Sequence, residues 1–154
     1  MMEKLEIRSA VRDDLVSLLH LYEQLNPGDS GLDGRLASGI FKRFTESPGN
    51  AILLGILNDA IVTSCTLVVI ENLTRGGTPY ALIENVITDQ HFRKRGFGKA
   101  ILTEAVSRAW EHDCYKVMLL TGSKKPSTIQ FYNSVGFEQN KTGFQIRRIP
   151  TRAE

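Results

Sequence analysis

Cysteine is scarce in this chain: Cys65 and Cys114 are the only two, and no CxxC pair occurs. Isolated thiols with no histidine at ligand spacing exclude a zinc finger or ribbon, and they read as reduced thiols rather than a disulfide framework. The three histidines, His20, His91 and His112, form no HxxxH or HExxH pair, so no metal is expected. No apolar run approaches the roughly 20 residues that span a bilayer, and the opening "MMEKLEIRSA" lacks the apolar core of a signal peptide. The expectation is a cytoplasmic protein without a membrane partner. Charge of one sign is missing too. Lys and Arg number 19 against 17 Asp and Glu, and a net charge of +2 gives no ground for a nucleic-acid partner. Internal repeats and low-complexity segments are absent.

What is present is the ordinary balance of a globular domain, with 42% hydrophobic and 23% charged residues. A chain of 154 residues fits one domain, read here as residues 1–154. "LEIRSA" alternates like a short strand, and Leu15, Leu18, Leu19, Tyr22 and Leu25 then fall at helical spacing, with Asp13 or Asp14 as the cap and "NPGDSG" as the stop. A second helix is expected near Leu36 to Phe44, with Leu36, Ile40 and Phe44 on one stripe. "AILLGIL" and "AIVTSCTLVVI" flank the two-residue turn Asn58–Asp59 and read as an antiparallel hairpin. "LTRGGTP" is a further turn, and "YALIENVIT" a third, central strand.

Beyond it, Ile101, Leu102, Ala105, Val106, Ala109 and Trp110 mark an amphipathic helix, and "YKVMLLT" a buried strand parallel to "YALIENVIT". "PSTIQFYNSV" is a short helix, in which Ser127 and Gln130 fit a capping box and Gly136 the position after the C-terminus. "FQIRRI" is a final strand. The expected fold is α/β: a mixed sheet, antiparallel early, with a parallel central pair and helices on both faces.

The most informative stretch is "QHFRKRGFGKAIL", Gln90 to Leu102. It is not a Walker loop: Ala100 stands where the metal-binding hydroxyl belongs, and the first glycine is missing. A dinucleotide fingerprint fails as well, because Ile101 occupies the third glycine position. A nucleic-acid face would spread its basic residues and interleave aromatics, whereas Arg93, Lys94, Arg95 and Lys99 sit in one loop. The remaining physics is general. Glycines let backbone N–H groups turn toward a ligand, and the following helix aims its positive end the same way. On the loop alone, a polyanion grip and a solvated strand–helix turn stand level.

Context separates them. The run Arg93-Lys94-Arg95-Gly96-Phe97-Gly98, between a strand and a long helix, resembles the acetyl-CoA pyrophosphate loop of the GNAT acyltransferase superfamily. "IRSAVRDDLVSLLHLYEQL" resembles the opening strand and helix of that family, "ALIENVIT" its cofactor-facing fourth strand, and "IQFYNSVGF" its closing signature. The resemblance covers nearly the whole chain. "IENVITDQHFRKRGFGKAIL" followed by "CYKVMLL" is further similar to glucosamine-6-phosphate N-acetyltransferases. Asn85 stands where those enzymes have an aspartate, and "TGSKKPST" is a longer, more basic loop.

The resemblance implies an N-acetyltransferase moving an acetyl group from acetyl-CoA, as co-substrate, to a primary amine of a small molecule. Direct attack needs no covalent enzyme intermediate, so neither cysteine has to act. Glu84 is the candidate base, a carboxylate in an otherwise apolar strand, where burial would be expensive unless paired or functional. Tyr132 is the candidate acid, because the tyrosine of this family's FY pair often points at the thioester sulfur. Val86, Ile87 and Thr88 would hold the pantetheine arm through their backbone; Arg93, Lys94, Arg95, Gly96, Phe97, Gly98 and Lys99 would hold the pyrophosphate. Ser127 is the polar residue available near the start of the last helix, where Lys125 replaces the family's usual asparagine. Asp29 and Asp33 would suit an amine, and Arg75 and Lys124 a phosphate or carboxylate. The family leaves a homodimer open. It also leaves open a different class, a CoA-binding sensor or interaction module without turnover.

Overall fold

The computed structural model describes residues 4–29 and 31–150. The chain forms two compact units, Met1–Leu119 and Leu120–Glu154. The first contains β1 (Glu6–Ser9), α1 (Leu15–Leu25), α2 (Gly34–Thr45), β2 (Ala51–Leu57), β3 (Ala60–Ile70), β4 (Tyr80–Thr88), α3 (Phe97–Glu111) and β5 (Val117–Leu119). The second contains α4 (Pro126–Val135).

The sheet has the order β1-β2-β3-β4-β5. Neighbours are antiparallel as far as β4, and β4 pairs with β5 in parallel. The hairpin between β2 and β3 turns on Asn58 and Asp59, both at positive φ (49° and 64°). That is the twist a two-residue turn must have to match its strands, and Asn and Asp accept it most readily among side-chain-bearing residues.

Alternation along the strands builds a core on each face. On one face Leu54, with Ile52 and Ile56, packs against Ala10 and Leu18, and Leu15 and Tyr22 of α1 and Phe41 of α2 close over them. The other face carries Leu53, Cys65, Leu67 and Ile83, all essentially inaccessible. Here α3 lies across β2, β3 and β4, with Ile101, Leu102, Ala105 and Ala109 buried and the Ile101 carbonyl 4.0 Å from Cys65 Sγ. Helices therefore cover both faces. Each fully buried Leu or Ile in these layers contributes about 1.5–3 kcal/mol relative to exposure.

Several expectations change in detail. Asp14 is the N-cap residue of α1, one of the two expected, but its carboxylate accepts from the Val11 N–H at 2.7 Å and pairs with Arg8 at 2.7 Å, closing the short 3-10 turn Arg12–Asp14 instead of bonding the first turn of α1. On α2 the buried residue is Ala37, with Phe41 beside it, while Leu36 and Ile40 are 53% and 43% exposed; the inward stripe lies one position further along. Trp110 is half exposed, past the edge of the face that α3 buries. β5 is three residues long and half-buried, shorter than "YKVMLLT" suggested.

In the second unit Lys125 is the N-cap of α4 and Pro126 its first residue, so Ser127 lies inside the first turn and forms no capping box. Gly136 does end the helix, at φ 114°. "FQIRRI" is not a strand. Alternation needs a neighbouring strand to become a ladder, and Phe144 and Ile146 stand 91% and 101% exposed in irregular chain.

Candidate donor-binding and catalytic site

The site begins where β4 loses its partner. The β4–β5 ladder stops at Ile83 opposite Leu119, although β4 continues to Thr88. Beyond Ile83, β4 is held only on its β3 side, through Ile87 to Ser64 and Thr88 to Thr63. The Thr63 hydroxyl donates to the Ile87 carbonyl at 3.0 Å and meets the Thr88 hydroxyl at 2.9 Å, so this half of β4 is pinned from the sheet side. Its other edge offers backbone groups that no strand among the described residues takes up.

A bulge interrupts the strand here. Thr66 pairs with Glu84 and Ser64 with Ile87, so Asn85 and Val86 together oppose the single residue Cys65. Asn85 absorbs the distortion at φ 52°. Glu84, just before the bulge, and Asn85, within it, are both exposed. The idea of a carboxylate buried in an apolar strand is corrected: Glu84 is exposed at the end of β4 beyond the β5 ladder, because alternation from the buried Ala81 and Ile83 puts it on the opposite face, with the half-buried Leu82.

After β4 the chain makes a 3-10 turn, Gln90–Phe92. Asp89 caps it, accepting from the His91 N–H at 2.8 Å, while the Asp89 N–H donates to the Val62 carbonyl at 2.8 Å. Gln24 of α1 clamps the same root with both ends of its amide: Nε2 donates to Asp89 at 3.0 Å and Oε1 accepts from the Gln90 N–H at 2.9 Å. Burial pushes the Asp89 carboxyl up, but the hydrogen bonds from His91 and Gln24 prevail and hold it below the usual carboxylate range. Neither Gln24 nor Asp89 stood out in the sequence. An Asp immediately before a helical turn is a recognisable cap signal, whereas a contact from Gln24, 65 residues away, leaves no local trace.

The loop itself then turns on two left-handed residues, Lys94 (φ 61°) and Gly96 (φ 82°). Gly96 is the N-cap of α3 and supplies no side-chain acceptor, which leaves the first N–H groups of a 15-residue helix to an external partner. A Cβ added at Gly96 would meet nothing within 4 Å, so the space in front of it is open. Arg93 Nε reaches the Thr88 carbonyl at 3.3 Å, and the Arg95 guanidinium lies over the Phe92 and Phe97 rings at 5.5 and 5.0 Å. Arg93, Lys94, Arg95 and Lys99 are all exposed around that open N-terminus, while Phe97 and Gly98 form its first turn. The arrangement is a cationic cradle with free backbone donors, suited to a phosphate-bearing ligand.

The profile described as the Acetyltransferase (GNAT) family matches residues 13–137. The chain belongs to the GNAT acetyltransferase family. It is 32% identical over 151 residues to a glucosamine 6-phosphate N-acetyltransferase of Trypanosoma brucei brucei, covering 92% of this chain and 95% of that one. Among solved structures it matches an acetyltransferase candidate from Agrobacterium tumefaciens str. C58 with 45% identity and a TM-score of 0.87, over 93% of this chain and 99% of the other. A Trypanosoma brucei acetyltransferase follows with 27% identity and a TM-score of 0.84, over 94% and 99%. This GNAT protein is an N-acetyltransferase, and the mixed α/β sheet is that of its structural neighbours.

The other residues singled out for this GNAT enzyme fall in two groups. Glu84, Val86, Ile87, Thr88 and the run Arg93–Lys99 share the first unit. Ser127 and Tyr132 belong to α4 in the second. Tyr132 is half-buried there, its ring 5.1 Å from Phe131 and edge-on to Phe137 at 6.3 Å, so aromatic packing orients it. Asp33 is not free for an amine: it caps α2, accepting from Arg35 N–H at 2.8 Å and Leu36 N–H at 3.2 Å. Arg75 rests over the Tyr115 ring at 5.8 Å. Both cysteines are buried, and burial pushes the Cys65 thiol up to about 12 and raises Cys114 as well. A thiol so held is neutral at working pH and is no nucleophile. Among the described residues no group of His, Cys, Asp and Glu could hold a metal, and no helix is long and apolar enough to cross a membrane.

Proposed function

We propose that this GNAT enzyme takes its acetyl group from acetyl-CoA and delivers it to the primary amine of a small molecule, within one acyltransferase domain. The observation that carries the donor is the cradle at Gly96: a left-handed glycine with open space before it, at the uncapped N-terminus of α3, directly after the half-unpaired strand β4. The diphosphate of CoA would lie on the N–H groups of α3, with Arg93, Lys94, Arg95 and Lys99 around it. The free edge of β4 at Val86, Ile87 and Thr88 would serve as a neighbouring strand for the amide-bearing pantetheine arm. That the family profile runs through both compact units, from residue 13 to residue 137, favours the single-domain reading.

In the transfer, the amine nitrogen bonds to the acetyl carbon as the carbon–sulfur bond breaks. An alkylammonium titrates at about 10 and must first lose a proton. Glu84 would accept it, directly or through one water, from its exposed place beside the β4 edge. Tyr132 would protonate the departing thiolate, and Ser127 would contribute a polar contact to the donor. Holding donor and amine together supplies much of the acceleration, since positioning alone is worth several kcal/mol, up to ~11. An amino-sugar phosphate heads the acceptor panel, because the 32% identical relative bears that activity in its name.

The test is calorimetric titration of acetyl-CoA and CoA, then turnover on an amine panel by wild type, Glu84→Gln and Tyr132→Phe. Micromolar acetyl-CoA binding is expected. Glu84→Gln should remove or move the acidic limb of the pH–rate profile. Tyr132→Phe should lower kcat about tenfold at unchanged donor affinity, below the ~10²–10⁴-fold of a full acid–base contribution because a thiolate leaves readily without protonation. Absence of donor binding would overturn the reading as a whole.

A further inference from the structure

Two cations meet at one aromatic ring where β4 and β5 begin. Lys116 Nζ lies 5.2 Å from the centre of the Tyr80 ring and 5.3 Å from that of Tyr115. The Arg75 guanidinium lies 5.8 Å from the same Tyr115 ring, and the two rings meet edge-on at 6.3 Å. An aromatic face attracts a cation, but two like charges drawn to one ring still repel each other. No carboxylate among the described residues pairs with Arg75 or Lys116. The cluster is short of an anion.

The backbone around it is held from several sides. The Tyr115 N–H donates to the Pro79 carbonyl and the Ala81 N–H to the Lys116 carbonyl, both at 3.0 Å. Arg75 is left-handed at φ 53°, its carbonyl accepting from the Thr78 hydroxyl at 2.7 Å. Asn72 Nδ2 donates to the Thr74 and Thr78 carbonyls at 3.3 Å and ties the same loop. A residue with a side chain is uncommon in that conformation, and it persists only where the surroundings impose it. The cluster also shares a face with Glu84. Alternation puts Tyr80, Leu82 and Glu84 on one side of β4, opposite the buried Ala81 and Ile83. Val68 of β3 and Met118 of β5 flank Leu82, and all three are half-buried, so an incompletely covered apolar floor runs from the cations to the carboxylate.

We propose that Arg75 and Lys116 bind a phosphate monoester carried by the acceptor, which makes them the residues that select it. The inference rests on the acetyl transfer proposed above, with the reacting amine at Glu84. Tyr80 and Glu84 stand about 13 Å apart along β4, so a fitting acceptor holds its amine and its phosphate roughly 8–13 Å apart once side-chain reach is allowed for. Two cations match the charge of about −1.5 to −2 that such a phosphate carries at neutral pH, where a carboxylate would leave one of them unmatched. The CoA diphosphate is a separate load, because its cradle follows Thr88, at the other end of β4 from Tyr80.

The experiment measures steady-state kinetics with glucosamine 6-phosphate and glucosamine as a matched pair, for wild type, Arg75→Met, Lys116→Met and Lys116→Arg, beside acetyl-CoA titration and thermal unfolding. Wild type is expected to favour the phosphorylated amine in kcat/KM by at least ~10-fold, as a charge-assisted contact supplies. Each Met variant keeps an apolar stem and should erase most of that preference by raising the KM for glucosamine 6-phosphate about tenfold, with kcat and the KM for acetyl-CoA little changed. Lys116→Arg, which keeps the charge, should retain the preference. A preference that survives both Met variants overturns the inference, and so does an equal loss on both amines, the mark of a structural effect. Equal turnover of the two amines by wild type overturns it as well, while acetyl transfer stands. If acetyl-CoA binds but neither amine reacts, titration of both into the CoA complex decides: glucosamine 6-phosphate must bind more tightly than glucosamine, and must lose that advantage in the Met variants. Absence of acetyl-CoA binding would instead overturn the proposed function, and this inference with it.

Discussion

Gly96 allows backbone strain and ligand space to be separated by substitution. Its φ of 82° is left-handed, and a Cβ there would touch nothing within 4 Å. Gly96→Ala therefore meets no steric clash within the protein and costs only the left-handed conformation, about 1–2 kcal/mol. The less flexible unfolded chain returns about 0.4–1 kcal/mol of that. The net loss is about 0–1.6 kcal/mol, a fall in melting temperature of at most about 6 °C for a chain of this size. Gly96→Asn should fall less, since Asn tolerates the left-handed region, yet it carries the same Cβ. If a diphosphate approaches this backbone, that Cβ displaces it and breaks at least one charge-assisted hydrogen bond, worth about 1.5–3 kcal/mol. Acetyl-CoA should then bind Gly96→Asn at least ~10-fold more weakly, and Gly96→Glu, with its added negative charge, not measurably. Isothermal titration beside thermal unfolding reads both quantities. Wild-type affinity in Gly96→Asn and Gly96→Glu would show that no phosphate sits against Gly96, and the cradle reading would be wrong.

Other parts of the structure carry expectations of their own. Gln24→Ala should loosen the root of the loop, raising the KM for acetyl-CoA several-fold with kcat little changed, because the Gln24 amide holds Asp89 and Gln90 and touches no reacting atom. Cys65, pushed up to about 12, should resist a thiol reagent at pH 8, where only about one part in ten thousand would be thiolate, and should react at once on unfolding. Asp14 tests acid stability. The Arg8 hydrogen bond, against burial and aided by the Val11 N–H, lowers its carboxyl below the ordinary value. Its contribution is therefore complete above the unfolded-state titration at about pH 4 and vanishes as pH falls through the folded one. The stability gap between wild type and Asp14→Asn, read by urea unfolding, should be constant near neutrality and narrow below about pH 4; a gap that widens on acidification would contradict the sign.

Local signals and long-range ones contributed differently to what the sequence revealed. The hairpin was legible because Asn58–Asp59 between two β-rich runs encodes its own twist, and α3 because its apolar residues recur at helical spacing. "FQIRRI" misled for the complementary reason: alternation describes a face, while a strand also needs a neighbour, and nothing in Phe144–Ile149 names one. Leu36 and Ile40 make the same point on α2. The apolar pattern allowed two adjacent stripes, and the one that turns inward carries the buried Ala37 and Phe41, which packs against Ala10, Leu18 and Leu54.

At the site, the loop could be read and the strand before it could not. The glycines and basic residues of Arg93–Lys99 left a polyanion grip and a solvated turn level until the surrounding motifs were added, and the structure adds which residues turn left-handed and the open space before Gly96. Glu84 is different. Its neighbours Ile83 and Val86 argued for burial, but alternation puts Glu84 on the face opposite the buried Ile83, where this end of the strand is exposed. One extra residue opposite Cys65 follows it, accommodated at Asn85, a position that shows in the sequence only as an asparagine among apolar residues. The bulge lies between the exposed Glu84 and the strand edge at Val86, Ile87 and Thr88 proposed for the pantetheine arm, so it sets the spacing of the two. Removing the bulge should therefore do more damage than removing any one side chain. Deletion of Asn85 is expected to leave a folded sheet with its hairpin and α3 intact, detectable by circular dichroism, and to abolish turnover. A deletion variant that still acetylates its amine would mean that the bulge is incidental to the chemistry.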